Sequence, residues 1–220
     1  MSKDLIEKDT VTQTGRMPAE ERRLQILQVA IGLFSRCGFS GTTTKQIANG
    51  AGISEAIIFR HFSTKDELYH AILDHLACEG GLKSPPWESD ETHKKAVEEK
   101  DDFTFFYSFA LHALRHQQSD VEFMRLLFHS ALEGHELASI FFEQFITPIY
   151  DYLCSYIKAR QADGAFRQLE PRVAVRAFMG MLIHHSLNNI LWDKRRRILD
   201  ISNEDAAREF AAILLQGIKK

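Results

Sequence analysis

The 220-residue chain is 45% apolar and 26% charged, the composition of a folded globular protein and not of a disordered one. Its charged start, MSKDLIEKDT, does not read as a secretory signal, and no apolar run reaches the roughly eighteen residues that span a bilayer, so a cytoplasmic location is expected. The net charge of −3 says nothing for a nucleic-acid partner, but its distribution does: residues 16–65 hold seven lysines and arginines against three acids, a basic head on an acidic body.

Residues 1–17 lack an apolar period and are expected to form a flexible arm. Pro18 suits a first helical turn, and Ile26, Leu27, Ala30, Phe34 and Cys37 follow at helical spacing until Gly38, which predicts a helix over about 18–37. Cys37, Cys78 and Cys154 lack CxxC spacing and read as reduced, mostly buried thiols. Thr43 and Gln46 have capping-box spacing and open a short helix that Gly50 and Gly52 close. Ser54 caps a third helix ending near Phe62, and Thr64 with Glu67 opens a fourth, 65–77. Two short helices joined by a tight glycine turn, set between two longer ones, form a helix-turn-helix.

Residues 80–101, with Pro85, Pro86 and many charges, read as a linker or exposed loop. Long helices are predicted beyond it, at about 102–117, 120–133, 136–163, 171–192 and 203–219. Pro148 is expected to kink the third of these. The fold class is therefore all-α, with an N-terminal three-helix helix-turn-helix head at 18–64 and a larger helical body at 65–220.

At 100° per residue, Ile58 and Phe62 of SEAIIFRHF fall on one side with Ser54 near them, and Ala56, Ile57, Phe59 and Arg60 fall on the other. Exposing Phe59 forgoes roughly 1.5–3 kcal/mol of burial. An apolar yet cationic helix face suits the major groove of DNA, where thymine methyls take apolar contacts and Arg60, His61 and Lys65 neutralise phosphates. Thr43 and Thr44 offer hydroxyls to phosphate. Lys65 stands in a first helical turn, where the dipole disfavours a cation, and a nearby phosphate would explain it.

The segment ILQVAIGLFSRCGFSGTTTKQIANGAGISEAIIFRHFSTKDEL resembles the DNA-binding domain of the TetR family of bacterial transcription regulators. The resemblance rests on the helix ending Cys-Gly-Phe, Thr-Thr-x-x-x-Ile-Ala from Thr42, Ala-Gly-Ile-Ser at 51–54, and Phe-Arg-His-Phe at 59–62 followed by Lys65. It implies that Thr43, Thr44, His61 and Lys65 contact phosphates and that Lys45, Glu55, Ala56 and Ile57 lie at base edges. Glu55 is read equally well as accepting from cytosine or as capping its own helix. The family usually has Gly-Thr-Leu-Tyr where this chain has Ala56-Ile57-Ile58-Phe59, so Phe59 lacks a tyrosine hydroxyl and fewer polar contacts are expected.

Nine of the sixteen phenylalanines fall between residues 103 and 145. Most read as core. By the resemblance, these helices also enclose an effector pocket, for which Phe106, Phe109, Phe123, Phe128, Phe142 and Phe145 are the candidates and an apolar or aromatic small molecule the expected ligand. Helix 171–192 is apolar on nearly all sides and needs cover on two faces. With 203–219 it is expected, by the resemblance, to form a homodimer that reads an inverted repeat. His112 and His116 share a helical spacing but have no completing ligand, and Lys194–Arg197 reads as a solvated loop. No metal, cofactor or catalytic residue is expected. The overall reading is a ligand-released repressor. The alternatives are a helical small-molecule-binding module with impaired DNA binding or an enzyme, for which no phosphate loop, nucleophile elbow or acid–base pair speaks.

Overall fold

The computed structural model describes residues 17–79, 90–119 and 121–220, leaving aside the side chains of 73, 76–79, 116–119 and 123. The expected arm therefore lies almost wholly outside the described residues. The helices are α1 (Ala19–Cys37), α2 (Thr44–Ala51), α3 (Glu55–His61), α4 (Lys65–Glu79), α5 (Glu91–Glu98), α6 (Asp102–Ser119), α7 (Val121–Glu133), α8 (Glu136–Phe141), α9 (Thr147–Ala162), α10 (Pro171–Leu187) and α11 (Asn203–Ile218).

The head is built from α1 to α4. Ile26, Leu27, Ala30, Ile31 and Phe34 of α1 pack on Ile47 and Ala48 of α2, Ile58 of α3, Phe62, and Leu68, Tyr69 and Ile72 of α4. Full burial of each large side chain contributes about 1.5–3 kcal/mol. The same cluster takes in Leu126 of α7 and Leu137 of α8. The apolar core thus runs past residue 64 and joins the head to the first hairpin of the body. A second core lies among α5, α6, α9, α10 and α11, with Phe105, Phe106 and Phe178 at its centre. There Asp102 is buried and accepts from Tyr156 Oη at 2.9 Å and Arg160 Nε at 2.7 Å, so its charge is matched.

Several expectations need correction. The 80–101 linker contains helix α5, capped by the Asp90 carboxylate, which accepts from Thr92 N at 2.8 Å. α5 shows little apolar patterning because one of its two buried residues is a histidine, His93. Cys37 is exposed; Cys154 is buried, and the Cys78 side chain lies outside the described residues. Ser54 occupies the cap position of α3 but makes no capping bond, and it is exposed, not part of the core face. Pro148 follows a five-residue π turn, Phe142–Ile146, that joins α8 to α9. Proline has no N–H to donate, and the wider turn just upstream lets the helical path continue, with Thr147 Oγ1 donating to Phe142 O at 3.2 Å.

One face of α10 is buried and the other is open. Val173 is 65% exposed, and Ala177, Gly180 and His184 follow it at helical spacing on the open face. On α11, Ile213 is 53% exposed and Gly217 lies a turn further along. A Cβ added to Gly180 or to Gly217 would meet, among the described residues, no atom within 4 Å beyond its chain neighbours and its own helix backbone.

Candidate nucleic-acid interface

The outer face of the head is positioned by three devices. The first is the capping box of α2: Gln46 N donates to Thr43 Oγ1 at 3.2 Å and Thr43 N donates to Gln46 Oε1 at 2.8 Å. The second is Gly52, in the left-handed region at φ 65, where it turns the chain from α2 towards α3. The third is a set of side chains reaching from α1. Gln25 Nε2 donates to Ala51 O at 3.2 Å, and Arg23 Nη1 donates to His61 O at 3.3 Å with its guanidinium 4.3 Å above the Phe62 ring. Arg23 and Gln25 thus hold the ends of α2 and α3. Neither is legible from sequence, because their partners lie 38 and 26 residues away.

On this frame Ala56, Phe59 and Arg60 are exposed, with Phe59 at 47%, while Glu55, Ile57 and His61 are half-buried. Ile58 and Phe62 point into the core, as the helical period requires. Lys45 and Thr43 are exposed and Thr44 is half-buried. The Thr43 hydroxyl is also 3.0 Å from Gln46 Oε1, so it serves the cap in the free protein.

Lys65 has partners within its own chain. Its Nζ donates to Phe39 O at 2.5 Å and sits 4.0 Å over the Phe39 ring. Burial lowers its pKa, against the opposing pull of Asp66 and Glu133. The carbonyl of Phe39 accounts for a cation in this first turn without any phosphate.

The Phe39 corner is also the contact with the body. Glu133 Oε2 accepts from Phe39 N at 3.0 Å and from Ser40 N at 3.3 Å, and the His135 ring lies 4.3 Å from Phe39 and 4.6 Å from Tyr69. His70 Nε2 pairs with Glu136 Oε1 at 2.8 Å across the same seam.

The six candidate pocket phenylalanines are dispersed. Phe106 and Phe109 are buried against Phe178, at ring separations of 5.3 and 6.1 Å. Phe145 stacks on Phe141 at 5.4 Å beside the head core. Phe128 and Phe142 are exposed, and the Phe123 side chain lies outside the described residues. The five described rings therefore do not line one cavity. No group of three or more histidines, cysteines and acids suited to a metal occurs among the described residues. No helix among them is long and apolar enough to cross a membrane.

The family described as "Bacterial regulatory proteins, tetR family" matches residues 26–72, and "AefR-like transcriptional repressor, C-terminal domain" matches residues 107–216. The HTH-type transcriptional repressor Rv3405c of Mycobacterium tuberculosis is 42% identical over 67 residues, 30% of this chain and 36% of that protein. The match thus spans only about a third of that curated relative's length. Among solved structures, NalD of Pseudomonas aeruginosa, described as the secondary repressor of the MexAB-OprM multidrug efflux pump, has a TM-score of 0.65 at 20% identity, covering 92% of this chain and 99% of that one. AibR, solved with isovaleryl coenzyme A and operator DNA, has a TM-score of 0.61 at 20% identity over 88% of this chain and 98% of its own. At these identities the structural likeness establishes the fold alone.

Proposed function

The chain belongs to the TetR family of bacterial regulatory proteins, and from that premise we propose that it is a cytoplasmic transcriptional regulator that binds duplex DNA through α2 and α3 as a homodimer. The observation that carries this reading is the outer face of α3. Ala56, Phe59 and Arg60 stand exposed on a seven-residue helix that the Gly52 turn leads into and whose C-terminal end is held by Arg23. A helix pre-positioned with an apolar and cationic face outward fits a major groove, with methyl contacts from Ala56, Ile57 and Phe59 and phosphate contacts from Arg60 and His61. Lys45 and the α2 amino terminus, with Thr43 and Thr44, face the flanking phosphates.

The dimer reading is supported by the open face of α10 and α11. Glycine inside a helix costs about 0.5–1 kcal/mol relative to alanine. Gly180 stands in mid-helix with open space before it, and the close approach of a second chain gives it a purpose. Val173 and Ile213 gain burial there.

We assign release from DNA to a small apolar or aromatic effector bound in the body; AibR, of the same fold, is described with isovaleryl coenzyme A and operator DNA together, which supports small-molecule binding by this fold and not the release itself. The route is the α7–α8 hairpin, which shares the head core and holds the Phe39 corner through Glu133. An effector binding the released state a hundredfold better shifts the equilibrium by about 2.7 kcal/mol, within ordinary allosteric coupling.

The test is selection of bound sequences from a random duplex pool by the purified chain. Enrichment of an inverted repeat with half-sites about one helical turn apart is the expected result. A pool that emerges with no shared sequence would overturn the reading in favour of a helical ligand-binding module.

A further inference from the structure

At the opposite end of α7 from the Phe39 corner, an open cleft of about 400 Å³ is lined by Val121, Asn189, Ile190, Lys194 and Arg196. It lies between the first residue of α7, the π turn Asn188–Trp192 that extends α10, and the loop that follows. We propose that this cleft binds a small anionic amphiphile, the simplest being a medium-chain carboxylate, with the acid group between Lys194 and Arg196 and the alkyl part against Val121 and Ile190.

Three observations carry the assignment. The first is an excess of positive charge. Residues 194–197 are Lys-Arg-Arg-Arg, flanked by two acids, Asp193 and Asp200. Asp193 is buried, and its carboxylate accepts from the backbone N–H groups of Arg197 at 2.8 Å and Ile198 at 2.7 Å. Those bonds hold its pKa below the usual carboxylate range and keep it turned inward. Lys194 makes no hydrogen bond or ion pair among the described residues, and the acid paired with Arg196, Asp200, stands 3.9 Å away.

The second is the way Arg196 is held. Its φ is 50, in the left-handed region that disfavours residues other than glycine, and its Nη1 donates to Ile201 O at 3.3 Å. A turn alone would be better served by glycine, whereas a guanidinium fixed on the wall of a cleft gives the strained position a use.

The third is the composition of the wall. Asn189 Nδ2 donates to His185 Nε2 at 3.0 Å, so the imidazole accepts and fixes the amide. Burial, then Arg196 and His184, lower the pKa of His185 and keep that ring neutral. Two cations and one fixed amide beside two aliphatic side chains match a ligand with one charged end and one apolar end.

The experiment is isothermal titration of the full-length chain with sodium octanoate and, separately, with 1-octanol. Octanoate is expected to saturate at one per chain, and octanol to bind at least tenfold more weakly. Lys194→Glu, at an exposed and unpaired position, is expected to weaken octanoate at least tenfold with no change in thermal unfolding. Arg196→Gly, which relieves the backbone strain, is expected to weaken octanoate at least tenfold as well. Octanol binding as tightly as octanoate, octanoate binding unchanged in both variants, or no saturable octanoate binding would each overturn the assignment. DNA binding enters none of these measurements, so failure here is distinct from failure of the regulator reading.

Discussion

Glu133, the last residue of α7, accepts a hydrogen bond from the backbone N–H of Phe39 at 3.0 Å, across 94 positions of sequence. That bond clamps the turn between α1 and α2 to the body. Gly38 makes it possible: at φ 72 and ψ 177 it holds a backbone conformation open essentially to glycine alone, and a Cβ there would collide with the Glu133 carboxylate. Gly38→Ala is expected to destabilise the fold by about 1–3 kcal/mol through backbone strain alone. Glu133→Ala is expected to cost about 1 kcal/mol. Thermal unfolding reads both, at about 2–4 °C per kcal/mol for a chain of this size. The double variant should lose less than the sum, because the two changes break the same clamp.

Arg60 and Lys65 should separate in their effects. Arg60 is exposed, so Arg60→Ala is expected to leave the melting temperature unchanged, weaken DNA binding and reduce the salt slope by about 0.9 for each phosphate that is no longer neutralised. Lys65→Ala removes the ammonium donor from the Phe39 carbonyl, which keeps only the Thr42 N–H at 3.3 Å, and is expected to lower stability by about 1 kcal/mol. A melting curve and a salt titration of binding on each variant make the comparison. Equal behaviour of the two variants would contradict it.

Phe59 offers a test by adding a polar group. Its ring is exposed and it lacks the hydroxyl of a tyrosine. Phe59→Tyr is expected to tighten binding to the selected operator roughly two- to twelvefold, the equivalent of one net hydrogen bond of about 0.5–1.5 kcal/mol. An equilibrium titration on that operator measures it.

Gly180 tests the dimer. Among the described residues, nothing beyond its chain neighbours and its own helix backbone lies within 4 Å of an added Cβ, so Gly180→Arg is expected to fold normally. Size-exclusion chromatography with light scattering should then show a monomer, and binding to the full inverted repeat should collapse to that of a half-site.

His93 predicts a pH dependence. The ring is buried between Ser108 Oγ at 2.7 Å and Tyr152 Oη at 2.8 Å, and burial lowers its pKa from the ordinary 6.5, opposed by Asp90. A lowered folded pKa means that the unfolded chain binds the proton more readily. Stability is therefore full above about pH 6.5 and falls as the pH drops through the lower folded value. Buried His185 shifts in the same direction and adds to the loss. His93→Gln, which keeps an amide for the two hydroxyls, is expected to flatten melting temperature against pH between roughly 7.5 and 5.5. An unchanged profile would show that other groups set it.

The helices of the head were written in nearest neighbours. The Thr43–Gln46 capping box, the turn at Gly52 and the alternation that turns Ile58 and Phe62 inward and Phe59 and Arg60 outward all depend on residues within about one helical turn of each other. Such short-range chemistry is complete before the chain folds up, so composition and spacing reveal it, and with it the all-helical class and the outward face of α3. Long-range partners are another matter. The tie of Lys65 to Phe39, the grip of Glu133, Arg23 over the Phe62 ring, the burial of His93 within the charged run of α5, the exposure of Cys37 and the scattering of the phenylalanines all follow from which distant surfaces meet. A side chain's environment is set by the whole packed arrangement rather than by its sequence neighbours, which is why folding alone disclosed them.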